Sequence, residues 1–324
     1  MVRFLIRRLL WAAFLFVAVT VVTYVIFFLA PANPERLVCG GQRATTACLE
    51  AAREDLAIDK PIYIQYGKFF KRLVVDRSLG ESYITNRPVN EIIQRAAPVT
   101  AALVFGGAIL WMLIGLSAGI LSALRPRSLT DRASMMFVLI GVSAHPVWLG
   151  LIFSYFFGYR LGWTPITGYC DLFSPPEGFD CGGAKDWVHH MILPWITFAI
   201  LFAALYVRMV RANVMETMNE DYVRTARAKG ASEPQVMRSH ILRNALLPVV
   251  TMLGMDIGLA LGGAVFTETV YSLPGLGRIA IEAVNNYDLP IVQGVVVFST
   301  LAIIFFNLIV DILYAWIDPR IRLE

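Results

Sequence analysis

Charge is what this chain has little of. Asp, Glu, Lys and Arg together make up 16% of its 324 residues, against about 25% in soluble domains. The shortage is concentrated. Leu9–Ala30, Pro98–Leu124, Ala133–Tyr159 and Leu289–Val310 contain no charged residue, nor does the shorter Met191–Val207. Ala245–Thr267 holds a single one, Asp256. A hydrocarbon core about 30 Å thick is crossed by about 20 apolar helical residues, so these runs predict an all-α membrane protein with six transmembrane helices. Also missing is a glycine-rich loop ending in Gly-Lys-Ser/Thr, the phosphate cradle of many ATP-binding proteins. No nucleophile–base arrangement stands out either, and the chain is read as a non-enzyme with no cofactor of its own.

The basic start (Arg3, Arg7, Arg8) and Ala30-Pro31-Ala32 have the look of a cleaved leader. The apolar run between them exceeds the about 7–15 residues of a leader's core, so it is read as the first span. Six spans place both termini on one side. Arg125, Arg127, Arg132, Arg208, Arg211 and the basic residues at both ends then share that side, while the two short opposite loops hold Arg160, Lys185 and Arg278. Basic residues favour the cytoplasmic side, so both termini are expected there. Segment 31–97 carries ten basic and eight acidic residues, but loops above about 60 residues are largely exempt from this rule. The net charge of +4 is accounted for by orientation and does not point to nucleic acid.

The organisation expected is a first transmembrane helix (1–31), a small extracytoplasmic subdomain (32–97) and a five-helix core (98–324). The subdomain has a helical stretch around Thr46–Leu56 and an aromatic-rich stretch, Tyr63, Tyr66, Phe69 and Phe70. All four cysteines fall outside the cytoplasm, as Cys39 with Cys48 and Cys170 with Cys181. Two local disulfides are the simplest pairing, and an oxidising compartment permits them. Zinc is the alternative, with long spacings and no His inside either pair; free thiols are the third reading.

The cytoplasmic segment 212–248 is the one long polar interruption of the core. Ala212–Lys229 lacks Pro and Gly and favours helix. Gly230 is suited to the left-handed cap that ends a helix. Ser232, with Glu233, Pro234 and Gln235 after it, reads as an N-cap with a capping box. Val236, Met237, Ile241, Ala245 and Leu246 share one face of the following helix, and Arg238, His240 and Arg243 lie off it. The segment is therefore a helix, a glycine hinge and a short amphipathic helix. It could rest at the headgroups or dock a cytoplasmic partner.

Glu220-Asp221-Tyr222-Val223-Arg224-Thr225-Ala226-Arg227-Ala228-Lys229-Gly230, followed by Arg243-Asn244-Ala245-Leu246-Leu247-Pro248, resembles the EAA loop of ABC-importer permeases. The wording is that of the B-type subunit of the dipeptide/oligopeptide branch of the binding-protein-dependent transport permease family. Arg224 and Thr225 depart from the general motif, as that branch does. Ser78-Leu79-Gly80-Glu81-Ser82, Arg87-Pro88-Val89, Pro98-Val99-Thr100, Glu268-Thr269-Val270-Tyr271-Ser272, Leu273-Pro274-Gly275-Leu276-Gly277 and Asp318-Pro319-Arg320 are similar to it too. The cysteine-bearing stretches 36–50 and 168–188 look like insertions.

The resemblance implies a type I importer permease fold in a bacterial inner membrane. It implies a second homologous permease, two ATP-binding subunits that hold ATP and Mg, an extracytoplasmic substrate-binding protein and a peptide substrate. Arg224, Thr225, Ala226, Lys229, Gly230, Ser232 and Arg238 become the ATPase-coupling residues. Cys39-Gly40-Gly41-Gln42-Arg43 looks superficially like the ATPases' signature loop, but it lies outside the membrane and no phosphate loop accompanies it.

Asp256, at bilayer depth, costs about 2.5–3.5 kcal/mol on insertion scales, so it should face the translocation pathway or a partner helix. Glu268, near the outer end of the fifth span, is a second pathway candidate or a loop cap. Gly254, Gly258 and Gly262 repeat every four residues, which permits close helix packing. His189 and His190 form a boundary pair that could sit at the interface or capture a metal. Nickel-chelate permeases of the same family are an alternative assignment. From another class, a stand-alone secondary transporter would show broken-helix repeats, and a structural membrane protein would need neither Asp256 nor the hinge.

Overall fold

The computed structural model describes residues 2–29, 45–47, 49–50, 60–173, 181–262 and 264–317. Among the described residues its regular structure is helical, apart from one isolated antiparallel bridge between Glu81 and Pro88. In chain order the helices are α1 (Val2–Leu29), α2 (Ile62–Val74), α3 (Val89–Leu124), α4 (Leu129–Ser143), α5 (Pro146–Arg160) and α6 (Ala184–Met218). Then come α7 (Asp221–Ala228), α8 (Glu233–Ala245), α9 (Leu247–Ala260), α10 (Val265–Val270), α11 (Leu276–Asn285) and α12 (Leu289–Ile317). Among the described residues, four helices are unbroken and long and apolar enough to cross a membrane: α1, α3, α6 and α12. The pairs α4–α5 and α8–α9 meet the same test only as bent pairs, so the count of six holds when each pair is one span.

Two expected spans are thus corrected. Ala133–Tyr159 is not one straight helix: its chain turns by 104° between α4 and α5. The cause is Pro146, because a residue before proline is pushed out of the helical region. Ala144 and His145 are both extended there. Ala245–Thr267 also breaks, with α9 ending at Ala260 and residues 261 and 262 forming a turn. Gly262 therefore lies off the helical face that Gly254 and Gly258 share.

Helix lengths differ from the apolar runs in the opposite sense. α3 has 36 residues and starts at Val89, inside the stretch assigned to the subdomain; Pro98 sits within it. At 1.5 Å per residue such a helix far outruns the hydrocarbon. Charged residues at its end, such as Glu91 and Arg95, leave the membrane without leaving the helix.

The chain divides into two compact units. The first comprises Met1–Thr100, Leu261–Val265 and Pro274–Phe305. Its core packs Val89, Ile93 and Ala96 of α3 against Leu276 and Ala283 of α11 and Ile291, Val292 and Val295 of α12. Asp288 is buried, accepts a bond from the Ser82 hydroxyl, and accepts another from the Tyr83 amide at 3.2 Å. Thr100 Oγ1 accepts from the Leu276 amide at 2.8 Å. Any side chain at Gly277 would meet the Val265 backbone at 2.8 Å, so this close approach requires glycine. In the subdomain, Tyr66 and Phe69 of α2 pack on Tyr24 of α1. Tyr66 OH also lies 3.1 Å from Thr20 Oγ1. The helix expected around Thr46–Leu56 lies mostly outside the described residues, as do Cys39 and Cys48.

The second unit comprises Ala101–Ala260, Phe266–Leu273 and Phe306–Glu324. α3 and α6 approach closely here, with Gly115 against Tyr206 and Gly119 against Val210. Trp111 stacks on Phe202 with centroids 4.6 Å apart. Gly254 of α9 faces α12 of the same chain: a Cβ there would lie 1.7 Å from Val310 Cγ2. We expect Gly254→Ala to lower stability by about 1–3 kcal/mol, the usual cost of overpacking. Thermal unfolding in detergent measures it, and adding Val310→Ala should recover most of the loss. No recovery would show that the clash is not the cause.

Candidate functional site

The hinged segment is built from three helix ends. α6 stops at Met218, where the Asn219 amide bonds back to Glu216 and Thr217, and its side chain donates to Met215 O at 2.9 Å. A continuous helix to Lys229 was expected; this earlier stop is a correction. Asn219 supplies the reason, since its short side chain offers the backbone a local alternative to helix. α7 then begins at Asp221 and buries Val223 and Ala226 beneath an exposed face.

Gly230 ends α7 at φ +82. The Ala231 amide donates back to Ala226 O at 3.2 Å, a wide loop that satisfies a terminal carbonyl. Ser232 follows in the extended conformation of an N-cap, but its side chain makes no capping bond. The expected capping box is therefore absent. An ion pair across the hinge takes over: Arg227 Nε and Nη2 reach Glu233 Oε1 and Oε2 at 2.8 and 3.3 Å. That fork uses Glu233 and spans the junction between α7 and α8.

α8 buries Val236, Ile241 and Ala245. Its middle, Met237–Leu242, is wound as a π-helix, a form often found at functional positions. Asn244 Nδ2 donates to Tyr222 OH at 2.8 Å, and Asn213 Nδ2 to Ala245 O at 3.3 Å. These bonds tie α8 to α7 and α6, so the segment is one braced element. Of the residues singled out by sequence, Arg224, Thr225, Lys229, Gly230, Ser232 and Arg238 are exposed on it, while Ala226 is buried beneath. The Thr225 hydroxyl donates to Asp221 O at 2.9 Å, and Arg224 has only a loose contact to Asp221 at 3.7 Å. The element thus presents a cationic face on a fixed frame.

The frame is anchored by a cluster that sequence reading missed. Asp131, buried at the start of α4, accepts Arg211 Nε at 2.7 Å and Nη2 at 3.0 Å. It also accepts from the Ser122 hydroxyl and, at 2.8 Å, from the Arg127 amide. The ends of α3, α4 and α6 therefore meet at one carboxylate, two turns before α6 gives way to the hinged segment. The available cue was Ser128-Leu129-Thr130-Asp131, a helix-start pattern; the Ser128 side chain does accept from the Asp131 amide.

The remaining candidates are dispersed. Asp256 lies one turn before α9 ends and accepts from Tyr206 OH at 2.7 Å. Glu268, on α10, is fully buried. Next to it Tyr271, also buried, shares a 2.8 Å bond with Thr197 and donates to Gly150 O. Cys170 and Cys181 are joined in a disulfide. His190 Nδ1 lies 2.8 Å from Asp186 O, and His189 Nε2 lies 2.7 Å from Trp163 O. Among the described residues no three His, Cys, Asp or Glu side chains converge as a metal site would need.

Comparison with known proteins matches this architecture along its length. The model of the binding-protein-dependent transport system inner membrane component covers residues 113–323, and that of its N-terminal region covers residues 1–104. The chain is 37% identical over 339 residues to the dipeptide transport system permease protein DppB of Alkalihalophilus pseudofirmus, covering 99% of this chain and 100% of that one. It is 38% identical to the di/tripeptide permease protein DppB of Pseudomonas aeruginosa and 36% identical to the glutathione permease protein GsiC of Escherichia coli, covering 99% of each chain in both cases. A chain of the inward-facing MetNI methionine ABC transporter superposes with a TM-score of 0.54 at 19% identity, over 71% of this chain and 97% of that one. That likeness shows the fold, a type I ABC importer permease. With apolar helices that cross a membrane several times, this chain belongs to the family of binding-protein-dependent transport system inner membrane components.

Proposed function

We propose that the chain is one of two permease subunits forming the translocation pathway of an ATP-driven importer of di- and oligopeptides. The observation that carries this is its full-length similarity to permeases named for dipeptides, di/tripeptides and glutathione. The braced segment 212–248 supports a docking role for its cationic face. In this reading Arg224 and Lys229 meet an ATPase subunit, and Gly230 sets the angle at which they do so. Two ATPase subunits hold ATP and Mg, and a substrate-binding protein delivers peptide from outside. Both termini are cytoplasmic, as the basic residues favour. ATP drives the cycle by binding one arrangement of the complex better than the other.

Asp256 is the pathway residue of this proposal, with Tyr206 holding its carboxylate in place. Purification in mild detergent tests the whole. The chain should emerge with a second permease and two ATPases, and the reconstituted complex should take up peptide only with ATP and the binding protein. Uptake by the chain alone on an ion gradient would instead establish a secondary transporter. A nickel chelate co-purifying with the binding protein, in place of peptide, would move the substrate to the alternative.

A further inference from the structure

The second helix of the hinged segment carries a groove that the coupling role leaves unused. Among the described residues, Arg238, Leu242, Arg243, Leu246, Leu247 and Val250 line a groove of about 270 Å³ that is open on one side. It runs over the 44° junction where α8 passes into α9. Its wall is aliphatic. Its rim is two exposed guanidiniums, and among the described residues no carboxylate pairs with either one. Arg227 differs in this respect, since Glu233 neutralises it.

We propose that this groove holds an anionic phospholipid, with its phosphate on Arg238 and Arg243 and an acyl chain along Leu242, Leu246, Leu247 and Val250. The position fits. α8 is polar on its exposed side and α9 is apolar, so with segment 212–248 read as cytoplasmic the groove falls at the level of the headgroups. Guanidinium matches phosphate geometry by paired bonds, and basic residues at this level attract anionic lipid. The rival occupants each leave half the groove unmatched. An acidic soluble partner would pair the arginines and leave four aliphatic side chains in water. An apolar helix of another subunit would cover those side chains and bury two unpaired cations, which is costly. An anionic amphiphile satisfies both halves. Arg238 thereby moves from the coupling set to a lipid site. The inference rests on membrane insertion and not on the peptide or ATPase proposal.

Native mass spectrometry of the complete complex in mild detergent, titrated with phosphatidylglycerol and with phosphatidylcholine, tests it. Phosphatidylglycerol should be retained about ten-fold better. Arg238→Gln or Arg243→Gln should each weaken it about five-fold, and the pair about thirty-fold, while Lys at both positions keeps most of the binding. Equal retention of the two lipids, or undiminished phosphatidylglycerol binding by the double Gln variant, overturns the proposal. If that variant does not assemble, a photo-crosslinker replacing Leu246 in the otherwise unaltered complex decides. A lipid adduct supports the site, and a protein adduct overturns it. Neither result disturbs the functional proposal, which is read from co-purification and uptake.

Discussion

Gly230→Val should reduce peptide uptake at least about ten-fold while the chain inserts and accumulates normally. Gly230 sits at φ +82, where an L-residue costs about 1–2 kcal/mol and a β-branched one more. Nothing among the described residues lies within 4 Å of a Cβ built there, so the strain does not come from a Cβ clash inside the chain. It comes through the backbone. The chain relieves the strain by changing the angle between α7 and α8, and the two connections that define that angle, Arg227–Glu233 and Tyr222–Asn244, must stretch or break. The membrane helices are untouched, which is why insertion survives. At 1.4 kcal/mol per factor of ten, strain of about 2 kcal/mol in the docked arrangement accounts for a loss of this size.

The companion variants make the cause visible. Gly230→Asn should keep most of the uptake, because Asn tolerates the left-handed region, and Gly230→Ala should fall between Asn and Val. Uptake assays in membrane vesicles, normalised to immunoblotted chain, rank the three. If Val transports like the unaltered protein, the hinge does not set a docking angle. If Asn is as damaged as Val, backbone conformation is not what matters at this position.

Gly230 was legible because a helix with a glycine stop has a local cause. The apolar runs were legible for a similar reason, since hydrocarbon imposes a length and forbids charge. What sequence reading lost was of two kinds. Some features were masked by uniform composition. His145-Pro146 turns the chain by 104° inside a run that is apolar on both sides, and hydropathy cannot see a bend. Helix ends outside the membrane were lost conversely, because the charged residues that open α3 look like loop. Other features depend on distant partners. Asp256 drew notice by its depth, but its bond to Tyr206 joins residues 50 apart in the chain. Arg211 was counted as one more orienting cation, and its carboxylate lies 80 residues away. Where local rules did apply, tertiary contacts could still displace them: Ser232 stands at the N-cap without capping, and the Arg227 fork does the bracing.

Asp131→Ala should destabilise the chain by about 2–3 kcal/mol, the upper part of the range for hydrogen bonds to a charged group. The carboxylate side chain is 8% exposed and receives both nitrogens of the Arg211 fork. Removing it takes the acceptor from both Arg211 nitrogens, and the guanidinium, 26% exposed, recovers only part of that from water. The Ser122 hydroxyl and the Arg127 amide lose their acceptor as well. Replacing both partners should cost much less, because no buried charge is then left alone: Asp131→Ala with Arg211→Met should recover more than half of the loss. The pair therefore forms a double-mutant cycle whose coupling reads the interaction directly. Unfolding in detergent supplies the four stabilities. Additive losses would mean that the fork contributes little and that Asp131 acts mainly through Ser122 and Arg127. Uptake adds a second reading. The cluster holds the ends of α3, α4 and α6 two turns before the hinged segment, so a loosened cluster delivers that segment to its partner on an unsteady stem. Partly destabilised chains such as Asp131→Asn should then lose transport in greater proportion than they lose folded protein. Transport falling only in step with folded protein would confine the cluster to a structural role.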